Sequence, residues 1–193
     1  MKPANIIIAA AALILFSSLL SGCVSQTAEE KASADKTAIQ NIEEARKVTK
    51  DVSLKLSAER QDKTITVNVV LDNPNQKPIT SAETWLSYDP KKLKGVKIEV
   101  AESPFGLMAP YENTFDDVNG LVMIGRSNGD PVSTPTISVA KVVFELLTDG
   151  TAMVDAYDYQ NDLGGHISAN MMLDGVPYNV LIKPESPALI IQK

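Results

Sequence analysis

Few side chains in this sequence could carry out covalent chemistry. The one histidine, His166, follows Gly164-Gly165 in an expected loop. Ser and Asp are plentiful, yet nothing has the spacing of a nucleophile elbow. Asp116-Asp117 and the Asp155/Asp158 pair are the carboxylates that glycoside hydrolysis would call on. Adjacent strand residues point to opposite faces, so these read as turn-forming Asx residues. Hard-cation chemistry has its best material in "DAYDYQNDLGG", which offers Asp155, Asp158, Asn161 and Asp162. The spacing is not that of a calcium-binding EF-hand loop, and one histidine without a free cysteine does not make a zinc site. We therefore expect no catalytic residue, no metal and no cofactor, and a chain that is not an enzyme.

The remaining reactive side chain is Cys23, the only cysteine. Before it runs "MKPANIIIAAAALILFSSLLSG", with Lys2, an apolar stretch over residues 6–16 and small residues at the end. This is the pattern of a secretory signal peptide over 1–22, too short for a confident membrane span. Leu20-Ser21-Gly22-Cys23 resembles the lipobox of bacterial-type lipoproteins, which implies that Cys23 is lipidated and becomes the mature N-terminus. Acyl chains add about 0.8 kcal/mol per buried CH₂ and would hold the chain to a bilayer. The expected location is the cell membrane, facing outward on its extracellular or periplasmic side, with the lipid as the sole membrane contact. The net charge of -6 becomes -7 without residues 1–22, which carry one Lys. An acidic surface argues against nucleic acid as a partner.

Residues 23–50 read as a linker, flexible or partly helical. They hold no Gly, Pro or aromatic residue, and Glu43 stands four before Lys47, a favourable helix pair. From residue 51 the pattern turns to period two. Val52, Leu54 and Leu56 alternate with Ser53, Lys55 and Ser57; Ile65, Val67, Val69 and Leu71 alternate with Thr64, Thr66 and Asn68. Seven more strands are expected at 79–88, 94–101, 120–127, 137–147, 151–157, 176–182 and 187–192, parted by Pro, Gly, Asn and Asp. Residues 51–193 are thus predicted to form one all-β domain, an antiparallel sandwich of about nine strands.

The strand at 79–88 divides its side chains between two faces. Thr80, Ala82, Thr84, Leu86 and Tyr88 share one; Ile79, Ser81, Glu83, Trp85 and Ser87 share the other. The Leu86/Tyr88 set is assigned to the core, because burying Glu83 unpaired would be costly. Pro90 lacks an amide donor and ends the ladder, Asp89 before it is biased to extended backbone, and Leu93 returns to the core. Trp85, the only tryptophan, then looks outward.

Tyr88-Asp89-Pro90-x-x-Leu93 ahead of "KGVKIEV" resembles the cohesin domain, as do "TFDDVNGLVMIGRSNGD" at 114–130, "SVAKVVFEL" at 138–146 and "TDGTAMVDAYDYQNDLGG" at 148–165. The resemblance implies a jelly-roll-like sandwich whose partner is dockerin, a small calcium-loaded module of secreted, often polysaccharide-degrading enzymes. It also implies that the partner face is one flat sheet. Ser81, Glu83 and Trp85 would lie on its first strand, and Leu121, Met123, Gly125 and Ser127 on its second, with Asn128 and Asp130 at the end. A single, directly lipidated domain departs from arrays of such domains and favours a surface anchor.

The composition of that face fits a protein interface: an aromatic anchor beside Leu and Met within a polar rim of Ser, Glu and Asn. In the bland alternative, Trp85 packs under the loop 103–118, whose Phe105, Leu107 and Tyr111 could serve as cover or rim. Two other functions compete. Sugar-binding sandwiches stack rings on rows of exposed aromatics, and Trp85 could join Tyr157 and Tyr159 in such a row if the sheet geometry allowed it. An envelope lipoprotein with a purely structural role is the third.

Overall fold

The computed structural model describes residues 48–110, 112–157 and 165–192. Cys23, the signal peptide, most of the linker, Tyr111, Asp158, Tyr159, Asn161, Asp162 and Gly164 lie outside the described residues.

Every paired strand is antiparallel, and among the described residues there is no helix. In chain order the strands are β1 (Ser53–Gln61), β2 (Thr64–Asp72), β3 (Ile79–Thr84), β4 (Leu86–Tyr88), β5 (Leu93–Glu99), β6 (Leu107–Met108) and β7 (Thr114–Asp116). They continue as β8 (Leu121–Met123), β9 (Gly125–Val132), β10 (Thr136–Leu146), β11 (Ala152–Ala156), β12 (Ile167–Leu173), β13 (Val176–Asn179) and β14 (Leu189–Ile191). One sheet runs β1-β2-β10-β5. The opposing layer has two parts, β13-β12-β3-β9-β6 and β14-β11-β4-β8-β7. These parts share two long chain segments, 79–88 and 121–132, each interrupted once, at Trp85 and at Ile124.

The sandwich is therefore as predicted, but it holds more strands than the expected nine. The two interruptions divide two predicted strands. The supposed irregular loop 103–118 contributes β6 and β7. The strand missing from the sequence reading is β12.

Alternation explains the core. In β2, Ile65, Val67, Val69 and Leu71 are fully buried, while Thr66, Asn68 and Val70 between them are half-buried. Each fully buried side chain of this kind contributes about 1.5–3 kcal/mol of transfer free energy. In β10 the inward parity changes along the strand: Ile137 lies opposite Leu71, but Ala140, Val142 and Phe144 lie opposite Val69, Val67 and Ile65. A bulge between Ser138 and Ala140 makes the change, because one inserted residue turns every later side chain to the other face.

The same mechanism corrects one assignment in β3. Ile79, expected on the outer face, is fully buried in the core. The register shifts between Ile79 and Ser81 on one side, and between Asn170 and Met171 on the other. Thr80 is the extra residue, and its hydroxyl donates to the Asn170 carbonyl, 3.2 Å away.

Tyr88-Asp89-Pro90 closes the strand as the sequence indicated. Tyr88 is buried, its ring edge-on to Phe144 at 5.0 Å, and its hydroxyl donates to Asp117 Oδ1. Burial, together with the Asp117 acceptor, pushes that hydroxyl above the ordinary tyrosine range. The Asp89 carbonyl accepts from the amides of Lys92 and Leu93, which turns the chain and delivers Leu93 to the core. Asp117 also accepts from the Gly95 amide, whereas Asp116 caps the turn through the amides of Val118 and Asn119. Both carboxylates serve the fold. Tyr88→Phe is expected to lower the free energy of unfolding by about 1.5 kcal/mol, the usual worth of a hydrogen bond to a charged acceptor, as read from a urea titration.

Candidate docking face

Trp85 stands where the segment 79–88 changes neighbours. Up to Thr84 the chain pairs with β12, through Ile167; from Leu86 it pairs with β11, through Ala156. At the junction Trp85 donates its amide to the His166 carbonyl, 2.8 Å away, and its carbonyl accepts from the Tyr157 amide at 3.0 Å. The ends of the two diverging strands thus bring their own rings to the indole. His166 stacks on it with centroids 3.9 Å apart and planes 13° apart, and Tyr157 lies nearly parallel at 6.3 Å. The register placed Trp85 outward correctly, since Thr84 and Leu86 on either side are fully buried. The ring is nonetheless half-buried, because one of its faces is occupied by His166.

The sheet brings four of the anticipated residues together. Ser81 lies opposite Ser127, and Glu83 opposite Gly125. On the other side of β3, Asn170 lies opposite Ser81 and Ser168 opposite Glu83. Asn170 Nδ2 donates to the hydroxyls of Ser81 and Ser168, 3.2 and 3.1 Å away. These residues, with Ala82, Ala109 and Arg126, line a shallow cavity of about 270 Å³.

The others are spread farther along the face. Leu121 and Met123 are half-buried on β8, where Leu121 pairs with Ser87. Asn128 and Asp130 belong to an excursion of β9 between Ser127 and Val132, where the register with β3 breaks. Asn128 is half-buried and donates from Nδ2 to the Asp130 carbonyl, and Asp130 is exposed.

Gly125, expected to meet a partner, is buried, and the Glu112 carboxylate lies where a Cβ would stand. The turn that carries Glu112 is tied to β8 and β9. Ala109 N–H donates to the Gly125 carbonyl at 3.1 Å, and Asn113 N–H to the Met123 carbonyl at 2.6 Å. Glycine is needed here to seat the molecule's own loop. Within that loop Phe105 turns into the core, while Leu107 is 58% exposed beside Ser127. One residue covers and the other forms a rim.

Glu112 adds a second carboxylate near Glu83, which no sequence pattern announced. Burial raises the pKa of Glu83 above the ordinary 4.5, the Glu112 charge raises it further, and His166 and a hydrogen bond from Ser168 oppose the rise. Burial likewise raises Glu112, opposed by the Trp85 indole N–H and by His166. The indole acts on this carboxylate without reaching hydrogen-bond geometry: Trp85 Nε1 and Glu112 Oε2 are both buried and have no hydrogen-bond partner. A carboxyl that binds its proton more tightly in the fold stabilises the fold in acid. That contribution is complete below 4.5 and is lost as pH rises through the folded values.

Asp155, the described member of the calcium candidates, is already engaged. Its carboxylate accepts from Ser186 Oγ and from the Ala188 amide. Among the described residues no cluster of three or more His, Cys, Asp or Glu side chains could hold a metal ion.

The sequence reading missed Ser168, Asn170 and Glu112. A signal for the first two was present: Asp174 and Gly175, with φ of 50° and 80°, form the two-residue Asp-Gly turn that joins β12 to β13. For Glu112 there was none, since its place depends on how a loop crosses the sheet.

A family model for the cohesin domain matches residues 51–165. No curated protein sequence matches the chain. Among solved structures it is similar to the seventh ScaB type I cohesin from Pseudobacteroides cellulosolvens, at 12% identity and a TM-score of 0.47 over 67% of this chain and 84% of that one. It is also similar to a type II cohesin domain from the cellulosome of Acetivibrio cellulolyticus, at 15% identity and a TM-score of 0.45 over 70% and 92%. A type I cohesin–dockerin complex from Clostridium thermocellum matches at 13% identity and a TM-score of 0.44, over 68% of this chain and 99% of that one.

Proposed function

This chain belongs to the cohesin domain family, and from that premise we propose that it is a non-enzymatic receptor for a dockerin-type module, held at the cell surface by a lipid on Cys23. In this reading residues 1–22 are the signal peptide, 23–50 the lipidated N-terminus and linker, and 51–193 the receptor domain. The partner belongs to a secreted, polysaccharide-degrading enzyme.

The observation that carries the reading is the face built on β3 and β9. A shallow cavity, to which Ser81, Glu83, Ser127, Ser168 and Asn170 contribute polar side chains, lies next to a half-buried indole and an exposed Leu107. An aromatic centre with a hydrogen-bonding surround is the usual make-up of a protein-binding patch. A carbohydrate platform instead needs free ring faces, and His166 already covers one face of Trp85. The ring arrangement therefore favours a protein partner over a glycan.

The test is binding of the full chain to a panel of calcium-loaded dockerins, with soluble and insoluble polysaccharides in parallel. Saturable binding of a dockerin, abolished by substitutions at Glu83 or Ser127, supports the receptor reading. Binding of polysaccharide alone supports the sugar module, and binding of neither leaves the structural envelope role. Anchoring is tested separately by radiolabelled palmitate, which is expected to label the natural chain and not Cys23→Ala.

A further inference from the structure

The centre of the proposed docking face is held in a state that costs free energy. The Glu112 side chain lies over Gly125, directly across the β3–β9 ladder from Glu83. One of its carboxylate oxygens is buried, and the Trp85 indole N–H beside it falls short of hydrogen-bond geometry. A buried acceptor left unpaired destabilises the fold, and more so when it is charged. Among the described residues, the groups that face the pair offset it only in part: His166 favours the charged form of both carboxyls, and the Trp85 indole N–H that of Glu112. From the approach to β12 comes His166, stacked on Trp85; from the end of β11 comes Tyr157, which lies against His166. From β9 comes Arg126, whose guanidinium donates to the Phe105 carbonyl. Ser168 of β12 favours the charged form of Glu83.

One added proton resolves this. A protonated carboxyl is a donor, and two neighbouring carboxyls that cannot both ionise comfortably share a proton.

We propose that Glu83 and Glu112 form a proton-sharing pair that couples docking at this face to pH. The regulation rests on the docking reading above. A partner seated over the pair removes its remaining water, which disfavours two charges still further. The complex then takes up a proton from solvent, and binding tightens as pH falls.

The pair can be followed without any partner, because Trp85 is the only tryptophan and its ring adjoins Glu112 and His166. In the full chain, indole emission is expected to change in a step as pH is lowered from about 8 to about 4, with a midpoint above the ordinary glutamate range. Glu112→Gln and Glu83→Gln should remove or displace that step, and His166→Gln should retain it. A flat titration, or a step that both glutamine variants leave unchanged, overturns the pair.

The coupling is read with a calcium-loaded dockerin that binds the chain. Its affinity is expected to rise about tenfold across the step, the effect of one unit of pKa displacement on binding, and less than about twofold for Glu112→Gln. That variant holds the dockerin's own titration constant. An equal change in the variant, no change, or weaker binding in acid overturns the coupling. If the emission step is intact but no dockerin binds at any pH, the docking reading falls and the coupling with it, while the proton-sharing pair stands.

Discussion

Phe144→Ala is expected to lower the free energy of unfolding by about 3–5 kcal/mol, the range for removing a large aromatic from a packed core. Phe144 is fully buried on β10 and joins the two layers of the sandwich. Its ring meets Tyr88 edge-on at 5.0 Å and Phe115 edge-on at 5.8 Å. Gly95 faces it across the β5–β10 ladder, and the Phe115 ring occupies the space where a side chain on Gly95 would go. The neighbours cannot close the gap, because each is already fixed by a partner of its own. Tyr88 is tied to Asp117, and Asp117 to the Gly95 amide. An equilibrium urea titration is the measurement. A loss below about 1 kcal/mol would mean that the site collapses freely, and that these aromatic contacts do not hold the sheets together.

Trp85→Ala is expected to weaken binding of a dockerin-type partner by about 2 kcal/mol or more, roughly thirtyfold, as truncation of a central aromatic anchor does. The effect on stability should be smaller than that of Phe144→Ala. Trp85 keeps part of its surface in water, and its contacts are largely with His166 and Tyr157 at the ends of two strands. Losing such ring contacts costs about 0.5–1.5 kcal/mol beyond the area uncovered. Calorimetric titration against the dockerin, beside thermal unfolding of the same variant, separates the two effects. Unchanged affinity, or a stability loss equal to that of Phe144→Ala, would place Trp85 in the core and remove it from the docking face.

The two residues show which parts of this molecule can be read before folding is known. Phe144 lies in "SVAKVVFEL", whose apolar content marks a buried strand, yet its inward direction depends on the bulge between Ser138 and Ala140. Ile79 departs from simple alternation for the same reason. Strand parity is counted along the chain, and a bulge resets the count without leaving a clear mark in composition. Where no bulge intervenes, as from Ala82 to Tyr88, the alternation places every side chain on its observed face.

The sequence by itself determined the fold class, the turn at Tyr88-Asp89-Pro90, the inward run of β2 and the outward direction of Trp85, because each follows from contacts between residues close in the chain. Only the tertiary structure decided that His166 lies on the indole, that Glu112 covers Gly125, and that Ser168 and Asn170 complete the face with Ser81. His166, Ser168 and Asn170 are more than 80 residues from their neighbours Trp85, Glu83 and Ser81, and Glu112 is 13 from Gly125. What brings them together is the pairing of β12 and β9 on either side of β3, a matter of register between distant segments that local periodicity does not encode.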